Sequence, residues 1–397
     1  MRITYFVHNL NDPAVAKRVA MFRKAGLSVL LVGFWRDHAP PREIAGAPAV
    51  GLGETFDAAL AHRTFASFRH AWFPPRLPCG SGVSNVIVAR NLEMLAIALS
   101  ARRRIGAATV VYEVLDIHRL MLSGGIVGRS LRALERAMLR RVGLVVTSSP
   151  AFVSEYFAPI QRWLGAPPIA LVENKTFLLE EPARSAESAE LAPAPPWRIG
   201  WFGMIRCRRS LKALAGLAAR RPDLLEVQIH GRPTRDIAAD LERLAPQPGN
   251  LQFHGRYRPD ELESLYRQVH LNWAVDYFED EGNSRWLLPN RIYEGGRFDA
   301  VTIARAQTET ARWLSGRGLG VVLAEPERDL ESFLDSLTPL RFERLKAAAR
   351  AAPRNAFITD EADCQRLKQL LTTAAAASRR QRARDRHGER IPSGEAG

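Results

Sequence analysis

Short β-rich runs alternate with helix-patterned stretches along nearly the whole chain, and the alternation begins twice. In the first half the runs are Ile3–His8, Ser28–Phe34, Val86–Arg90, Thr109–Glu113, Leu144–Thr147 and Ile169–Val172. Most are unbroken apolar segments, the pattern of parallel strands buried on both faces. Helix patterns fall between them at 14–25, 92–103, 128–141 and 151–158. Such alternation requires crossover connections, which are right-handed, and so predicts a doubly wound α/β sheet.

After Lys175 the pattern stops. The segment TFLLEEPARSAESAELAPAPPW is rich in Ala, Pro, Ser and Glu and has no period, as expected of a linker over 176–197. The alternation then restarts with Arg198–Phe202, Leu225–His230, Leu251–His254, Leu271–Val275, Ala300–Ile303 and Gly320–Leu323, and helices are expected near 341–351 and 360–377. Arg2 to Gly33 and Arg198 to Gly231 each read strand, loop, helix, strand over nearly equal lengths. The expectation is two Rossmann-like domains, 1–175 and 198–377, facing across a cleft. The last stretch, 378–397, is basic, has no apolar face and is expected to be disordered. A length of 397 residues suits two domains.

Several classes drop out. Cys79, Cys207 and Cys364 lie far apart with no CxxC, against a disulfide framework or a zinc site. No apolar run approaches the ~18 residues of a membrane span. The opening MRITYFVHNL lacks a basic-then-apolar signal pattern, so a cytoplasmic protein is expected. Neither half shows GxGxxG after its first strand, and no Walker loop is present, against hydride transfer and P-loop phosphoryl transfer.

Ligands of doubly wound sheets bind beyond the carboxyl ends of strands, where helix N-termini favour anions. Three segments fall there. In DYFEDEGNSRWLLPNRIYEGG, Pro289 suits the first turn of a helix and Gly295-Gly296 its end, giving a helix Pro289–Glu294. Its start offers N–H groups and Arg291 to a pyrophosphate, and Glu294 a carboxylate to two vicinal ribose hydroxyls. A solvated surface helix fits the same residues. In GMIRCRRS, Arg206, Arg208 and Arg209 are placed to neutralise a leaving diphosphate, or to form a basic helix face. In YEVLDIHRL, Asp116 suits a general base and His118 a clamp on a sugar hydroxyl; the alternative is Asp116 capping the next helix with His118 packed beside it.

Together these segments resemble the GT-B glycosyltransferases, in particular the GT4-like enzymes of bacterial exopolysaccharide assembly, including the succinoglycan-type group. The likeness covers most of 1–330. NDPAVAKRVAMFRKAGLSVLLVGF is similar to the family's opening, TSSPAFVSEYF to its S-P-x-F segment and VENK to its linker entry. IGWFGMIRCRRSLKAL is similar to the opening of its donor domain, FHGRYRPDELESLYRQVHLNWAV to the stretch that follows, and PNRIYEGG to its P-x-K-x-x-E helix. The resemblance implies sugar transfer from a UDP- or GDP-linked donor to a lipid-linked or glycan acceptor, without a cofactor or bound metal. It implies that Glu294 holds the ribose, that Arg206 and Arg209 hold the diphosphate, and that Arg291 is the helix cation. Gly203 and Asn290 join them on the donor side. His118 or Asp116 faces the acceptor, and Arg206 with Asp116 and His118 makes the catalytic set. Trp286 stands where the family's first paired glutamate is usual.

Two further readings share the composition: a nucleotide-sugar epimerase of the same fold, and a nucleic-acid binder suggested by the net charge of +14. The basic residues are scattered and no nucleic-acid module is present, so no nucleic-acid partner is expected. Finally, residues 65–76 set Phe65, Phe68, Trp72 and Phe73 beside Arg69 and Arg76, and residues 119–141 set Leu120, Met121, Leu122, Ile126 and Val127 before Arg129, Arg132, Arg136, Arg140 and Arg141, with Leu131, Leu134, Met138 and Leu139 among the arginines. Basic and apolar residues together suit an anionic lipid surface. Asn9, Trp72, Arg129 and Arg132 are accordingly placed on the acceptor and membrane side, with the protein peripheral on the inner face of the cell membrane. Core apolar residues under a solvated basic face are the other reading.

Overall fold

The structure, a computed structural model, describes residues 1–36, 39–55, 85–106, 109–161, 165–178, 191–245 and 249–388. The chain divides into two compact units, Met1–Glu173 with the chain from Asp360 onward, and Asn174–Thr359.

Unit 1 is built on an eight-stranded sheet: β1 (Arg2–Val7), β2 (Ser28–Trp35), β3 (Glu43–Ile44), β4 (Ala47–Glu54), β5 (Val86–Arg90), β6 (Thr109–Val114), β7 (Leu144–Thr147) and β8 (Ile169–Leu171). The order is β3-β4-β2-β1-β5-β6-β7-β8, parallel except for the β3–β4 edge hairpin. The central strands are apolar because helices cover both faces: β1, β5 and β6 are almost wholly buried. The helices used below are α1 (Pro13–Lys24), α2 (Leu92–Ile105), α3 (Arg119–Leu122) and α4 (Ile126–Leu139). Asp12 caps α1, its side chain accepting from Ala14 N at 2.9 Å, and Pro13 takes the first position, where a missing N–H costs nothing.

An ionic cluster anchors the middle of this sheet. Glu113 at the end of β6 accepts from Arg18 Nε at 2.7 Å, from Arg90 Nε at 2.8 Å and from the Tyr5 hydroxyl at 2.5 Å. Burial alone would raise the Glu113 carboxyl; Arg90 and Arg18 overcome it and hold it down to about 2.

Unit 2 carries a six-stranded, all-parallel sheet: β9 (Trp197–Ile205), β10 (Leu225–Pro233), β11 (Leu251–Phe253), β12 (Leu271–Trp273), β13 (Val301–Arg305) and β14 (Val321–Leu323). Its order is β11-β10-β9-β12-β13-β14. The relevant helices are α5 (Arg208–Arg220), α6 (Asn290–Arg297) and α7 (Pro326–Asp335). Trp197, Trp201, Trp273, Leu211 and Leu225 lie in one buried core under the sheet.

The expected strands are present, but the domain boundaries differ. The last helix, α8 (Glu361–Gly388), belongs to unit 1 rather than to the second domain, and runs well into the stretch expected to be disordered. Cys364, Leu367 and Leu371 are buried along it, and Ser378 Oγ donates to Thr109 Oγ1 of β6 at 2.8 Å. Its apolar spacing, not the basic composition of its end, decides the fold. Most of the expected linker lies outside the described residues, and unit 2 begins before it, at Asn174.

Candidate functional site

In unit 2 the chain winds from β9 toward β10 and β11 on one side, and through β12 to β14 on the other. The loops after β9 and β12 therefore run apart, and the crevice between them is where such sheets bind ligands. Arg206 directly follows β9, and Asp276 follows β12. Arg206 Nη2 lies 2.8 Å from Asp276 Oδ2, and its guanidinium stacks on Phe278 at 5.0 Å. Ser284 Oγ donates to the same carboxylate oxygen at 3.1 Å, and Phe278 N to the other at 3.1 Å. Burial would raise the Asp276 carboxyl, but Arg206 first and then Arg291 hold it below the usual range.

Gly203, near the end of β9, has φ +96° and pairs in register with Gly231 of β10. A Cβ on Gly231 would lie 1.8 Å from Gly203 O, so only glycine permits this approach. On Gly203 a Cβ would meet nothing closer than the Tyr257 hydroxyl at 4.0 Å, which leaves the β9 backbone open at that point.

The helix after β12 differs in detail from expectation. Pro289 is the residue before α6 rather than its first residue, and no side chain caps the first turn. The glycine pair does not end the helix, which continues to Arg297. The glycines serve packing: a Cβ on Gly296 would lie 2.1 Å from the Phe357 ring, and one on Gly295 2.8 Å from Asn272 Nδ2. Arg291 reaches back to Trp273 O at 3.3 Å, at the end of β12. Glu294 is half-buried on the helix; burial raises the Tyr257 and Tyr266 phenols and the Glu294 charge raises them further, which sets its carboxylate beside both. Asn290 is exposed, its Oδ1 accepting from Asn174 Nδ2 at 3.0 Å.

The structure thus gathers Gly203, Arg206, Arg291 and Glu294 around the carboxyl ends of β9 and β12. Arg209 stands apart from the Arg206–Asp276 pair: it is bound to Glu327 of α7 and lies over the Tyr277 ring at 4.1 Å. Arg208 is bound to Asp240 at 2.6 Å. Asp276 is the residue sequence reasoning missed as a partner of Arg206, because the pairing depends on β12 lying next to β9. Among the described residues no cluster of three or more His, Cys, Asp or Glu is set to hold a metal ion.

In unit 1, Asp116 and His118 follow β6 and both are exposed. The expected alternative to function is reversed: His118, not Asp116, caps the next helix, Nδ1 accepting from Leu120 N at 3.3 Å, and its ring is not packed. Asn9 lies in the β1–α1 loop, its Oδ1 accepting from Asn11 N at 3.1 Å. Arg132 does not face outward: its guanidinium binds Met121 O and Ser123 O at 2.5 and 2.8 Å and fastens α3 to α4. Arg129 is exposed. Trp72 and the whole of 65–76 lie outside the described residues.

Over 381 residues, 94% of each chain, this sequence is 40% identical to the succinoglycan biosynthesis protein ExoL of Rhizobium meliloti. The chain belongs to the ExoL family. No family model matches it. Among solved structures, sucrose-phosphate synthase from Thermosynechococcus elongatus superposes with a TM-score of 0.68 at 12% identity, over 95% of this chain and 100% of that one. HepE from Anabaena, solved in complex with UDP-glucose, superposes with a TM-score of 0.64 at 14% identity, over 95% of this chain and 100% of HepE. This ExoL-family chain therefore has the GT-B glycosyltransferase fold.

Proposed function

We infer that the protein is a glycosyltransferase of exopolysaccharide assembly that moves a hexose from a nucleotide sugar to a lipid-linked or glycan acceptor. The observation that carries the reading is the Arg206–Asp276 pair under the influence of Arg291, set at the divergence of β9 and β12 in a chain of the ExoL family. A diphosphate entering there meets two guanidiniums and the uncapped first turn of α6, while Glu294 stands on the same helix to accept ribose hydroxyls. Positive side chains and helix N–H groups stabilise the leaving diphosphate, so the reaction as proposed needs no metal and no cofactor. Asp116 and His118 belong to the acceptor side of this proposal.

The acceptor is proposed to be met at an anionic membrane surface on the cytoplasmic side. Ile126, Val127 and Leu134 of α4 are 75%, 59% and 50% exposed, and Arg129, Arg140 and Arg141 are exposed on the same element or directly after it. Among the described residues no helix is long and apolar enough to cross a membrane.

A thermal-shift screen with UDP-glucose, other UDP-hexoses and GDP-mannose tests the donor half. A donor at ~100 times its dissociation constant stabilises by about 2.7 kcal/mol. Stabilisation by at least one nucleotide sugar, and transfer that survives EDTA, are expected; no response to any donor defeats the reading.

A further inference from the structure

The ladder between β9 and β12 is short: Leu271 stands in register with Ile199 and Asn272 with Gly200. β9 then runs on beside β10 to Ile205, while β12 ends at Trp273. Arg206 and Asp276 lie beyond that ladder, so backbone pairing of β9 with β12 does not reach them.

Side chains take over there. Cys207, the residue after Arg206, accepts two N–H groups on Sγ, from Ser210 N at 3.4 Å and from Tyr277 N at 3.3 Å. Ser210 Oγ donates to Val275 O at 3.2 Å. Val275 and Tyr277 are the two neighbours of Asp276. The chain around the carboxylate is thus held on both flanks by residues that follow Arg206. Cys207 and Ser210 are 3% and 0% exposed, too deep to touch a ligand themselves. Tyr277 is fixed further out as well. The guanidiniums of Arg209 and Arg305 lie over its ring at 4.1 and 4.3 Å, and its hydroxyl donates to Glu327 at 2.9 Å.

The arrangement suits sulfur rather than oxygen. Cys207 is the N-cap of α5, a position that serine, threonine, aspartate and asparagine cap best. A thiol sulfur is only a weak acceptor, so capping strength does not account for a cysteine here. Reach does. A C–O bond is shorter than a C–S bond, and an N–H···O bond closes at about 2.7–3.2 Å. A serine hydroxyl at 207 would close on Ser210 N only by releasing Tyr277 N.

We propose that Cys207 and Ser210 are positioning residues that hold Asp276 against Arg206, so that the guanidinium is aimed at the donor diphosphate. The assignment rests on the glycosyltransferase reading for naming that ligand.

Steady-state kinetics on the full chain test it, with kcat read as release of nucleoside diphosphate from the donor found by thermal shift. Cys207→Ser keeps a cap on α5 and should keep the melting temperature. It should nevertheless lower kcat about tenfold, with the donor dissociation constant within about twofold of wild type. Ser210→Ala should do likewise. In an Arg206→Ala background the Cys207→Ser change should cost less than about twofold, because the group it positions is gone. An architectural role alone would lower kcat by the same factor in both backgrounds. That result overturns the assignment, as does wild-type kcat in Cys207→Ser. If Cys207→Ser does not fold, Ser210→Ala is read in the same way.

A second readout needs no turnover. Burial pushes the Asp276 carboxyl up, and Arg206 overcomes it and holds the group below the usual range. With the pair loosened in Cys207→Ser, that carboxyl should titrate at higher pH than in wild type. Carbon-13 NMR of aspartate-labelled protein follows it, with Asp276→Asn giving the assignment. An unmoved titration overturns the clamp. Wild type that releases no nucleoside diphosphate from any nucleotide sugar, but whose Asp276 titration moves in Cys207→Ser, would defeat the transferase reading and leave the clamp standing.

Discussion

Arg206, which we propose holds the donor diphosphate, is already paired, and this shapes what its loss would do. With Asp276 at 2.8 Å and half-buried around it, the guanidinium is held in place before any diphosphate enters. Removing Arg206 leaves a carboxylate facing the incoming phosphates, whereas removing the Asp276 charge frees a cation for them. Arg206→Ala is therefore expected to lower kcat at least ~100-fold, about 2.7 kcal/mol, and by more than it weakens donor binding. Asp276→Asn should leave donor affinity equal or tighter. Steady-state kinetics with donor titration separate the two, and equal kcat for Arg206→Ala and wild type removes the residue from the reaction. Glu294, proposed to hold the ribose, should have a different signature, because a contact far from the reacting atoms is the same in ground and transition states. Glu294→Ala should raise the donor dissociation constant at least tenfold, about 1.4 kcal/mol, with kcat at saturation nearly unchanged. Calorimetric titration with the donor identified by the thermal-shift screen reads this directly.

At the scale of elements, what could be read from sequence depended on whether local pattern or tertiary packing decides. The strands of both sheets were legible because a parallel strand buried on both faces is an apolar run whatever surrounds it. The β3–β4 hairpin was not: Ala47–Glu54 contains Pro48, Gly51 and Gly53 and lies at the sheet edge, so it carries neither strand composition nor a clean alternation. The glycines of α6 read as a stop, but Phe357 and Asn272 pressing on them make them a packing requirement that no local rule contains. The places of Arg206 directly after a strand and of Glu294 on the helix that follows Pro289 were legible in the sequence. The pairing of Arg206 with Asp276 was not, since it depends on β12 lying beside β9, which is a property of sheet order. On α4 the two sequence readings divide between residues: Arg132 and Arg136 bind carbonyls of neighbouring segments, while Ile126, Val127, Leu134 and Arg129 are left outward. An outward apolar stripe beside arginines is the form of an interfacial helix. Sedimentation with phosphatidylglycerol liposomes is expected to show binding at low salt that falls at high salt. The double variant Ile126→Glu with Leu134→Glu should lose at least tenfold in partitioning at unchanged melting temperature, because both side chains are already in water. Equal partitioning would take α4 out of the membrane surface.

The two units of the whole molecule share one chain unevenly, and both carry histidines that resist protonation. Burial, with the charge of His254 adding to it, pushes His230 in unit 2 down to about 4, and burial does the same to His8 in unit 1. An unfolded chain takes up these protons near 6.5, before the folded one does, so stability is full above 6.5 and falls as pH drops from 6.5 toward 4. Urea midpoints at pH 7.5 and 5 should record this, and His230→Asn should remove about one proton from the slope of the unit 2 transition. The uneven sharing has a sharper consequence. Unit 1 is completed by α8, which the chain reaches only after unit 2 is made, and α8 packs on α1 and β6. Leu367 and Leu371 on it are 2% and 1% exposed, and full burial of a leucine stabilises by about 1.5–3 kcal/mol. Leu371 is sequence-distant from every strand it supports, so its role is invisible to local pattern, and its loss falls on a unit that begins nearly a whole chain earlier. Leu371→Ala should cost about 2–5 kcal/mol in the unit 1 transition, from lost transfer free energy plus the cavity left behind. The unit 2 transition, followed through its own buried tryptophans Trp197, Trp201 and Trp273, should stay where it was. Urea unfolding monitored by tryptophan fluorescence and by hydrogen exchange at β6 amides separates the two. A shift confined to unit 2, or no shift at all, would mean that α8 does not complete unit 1.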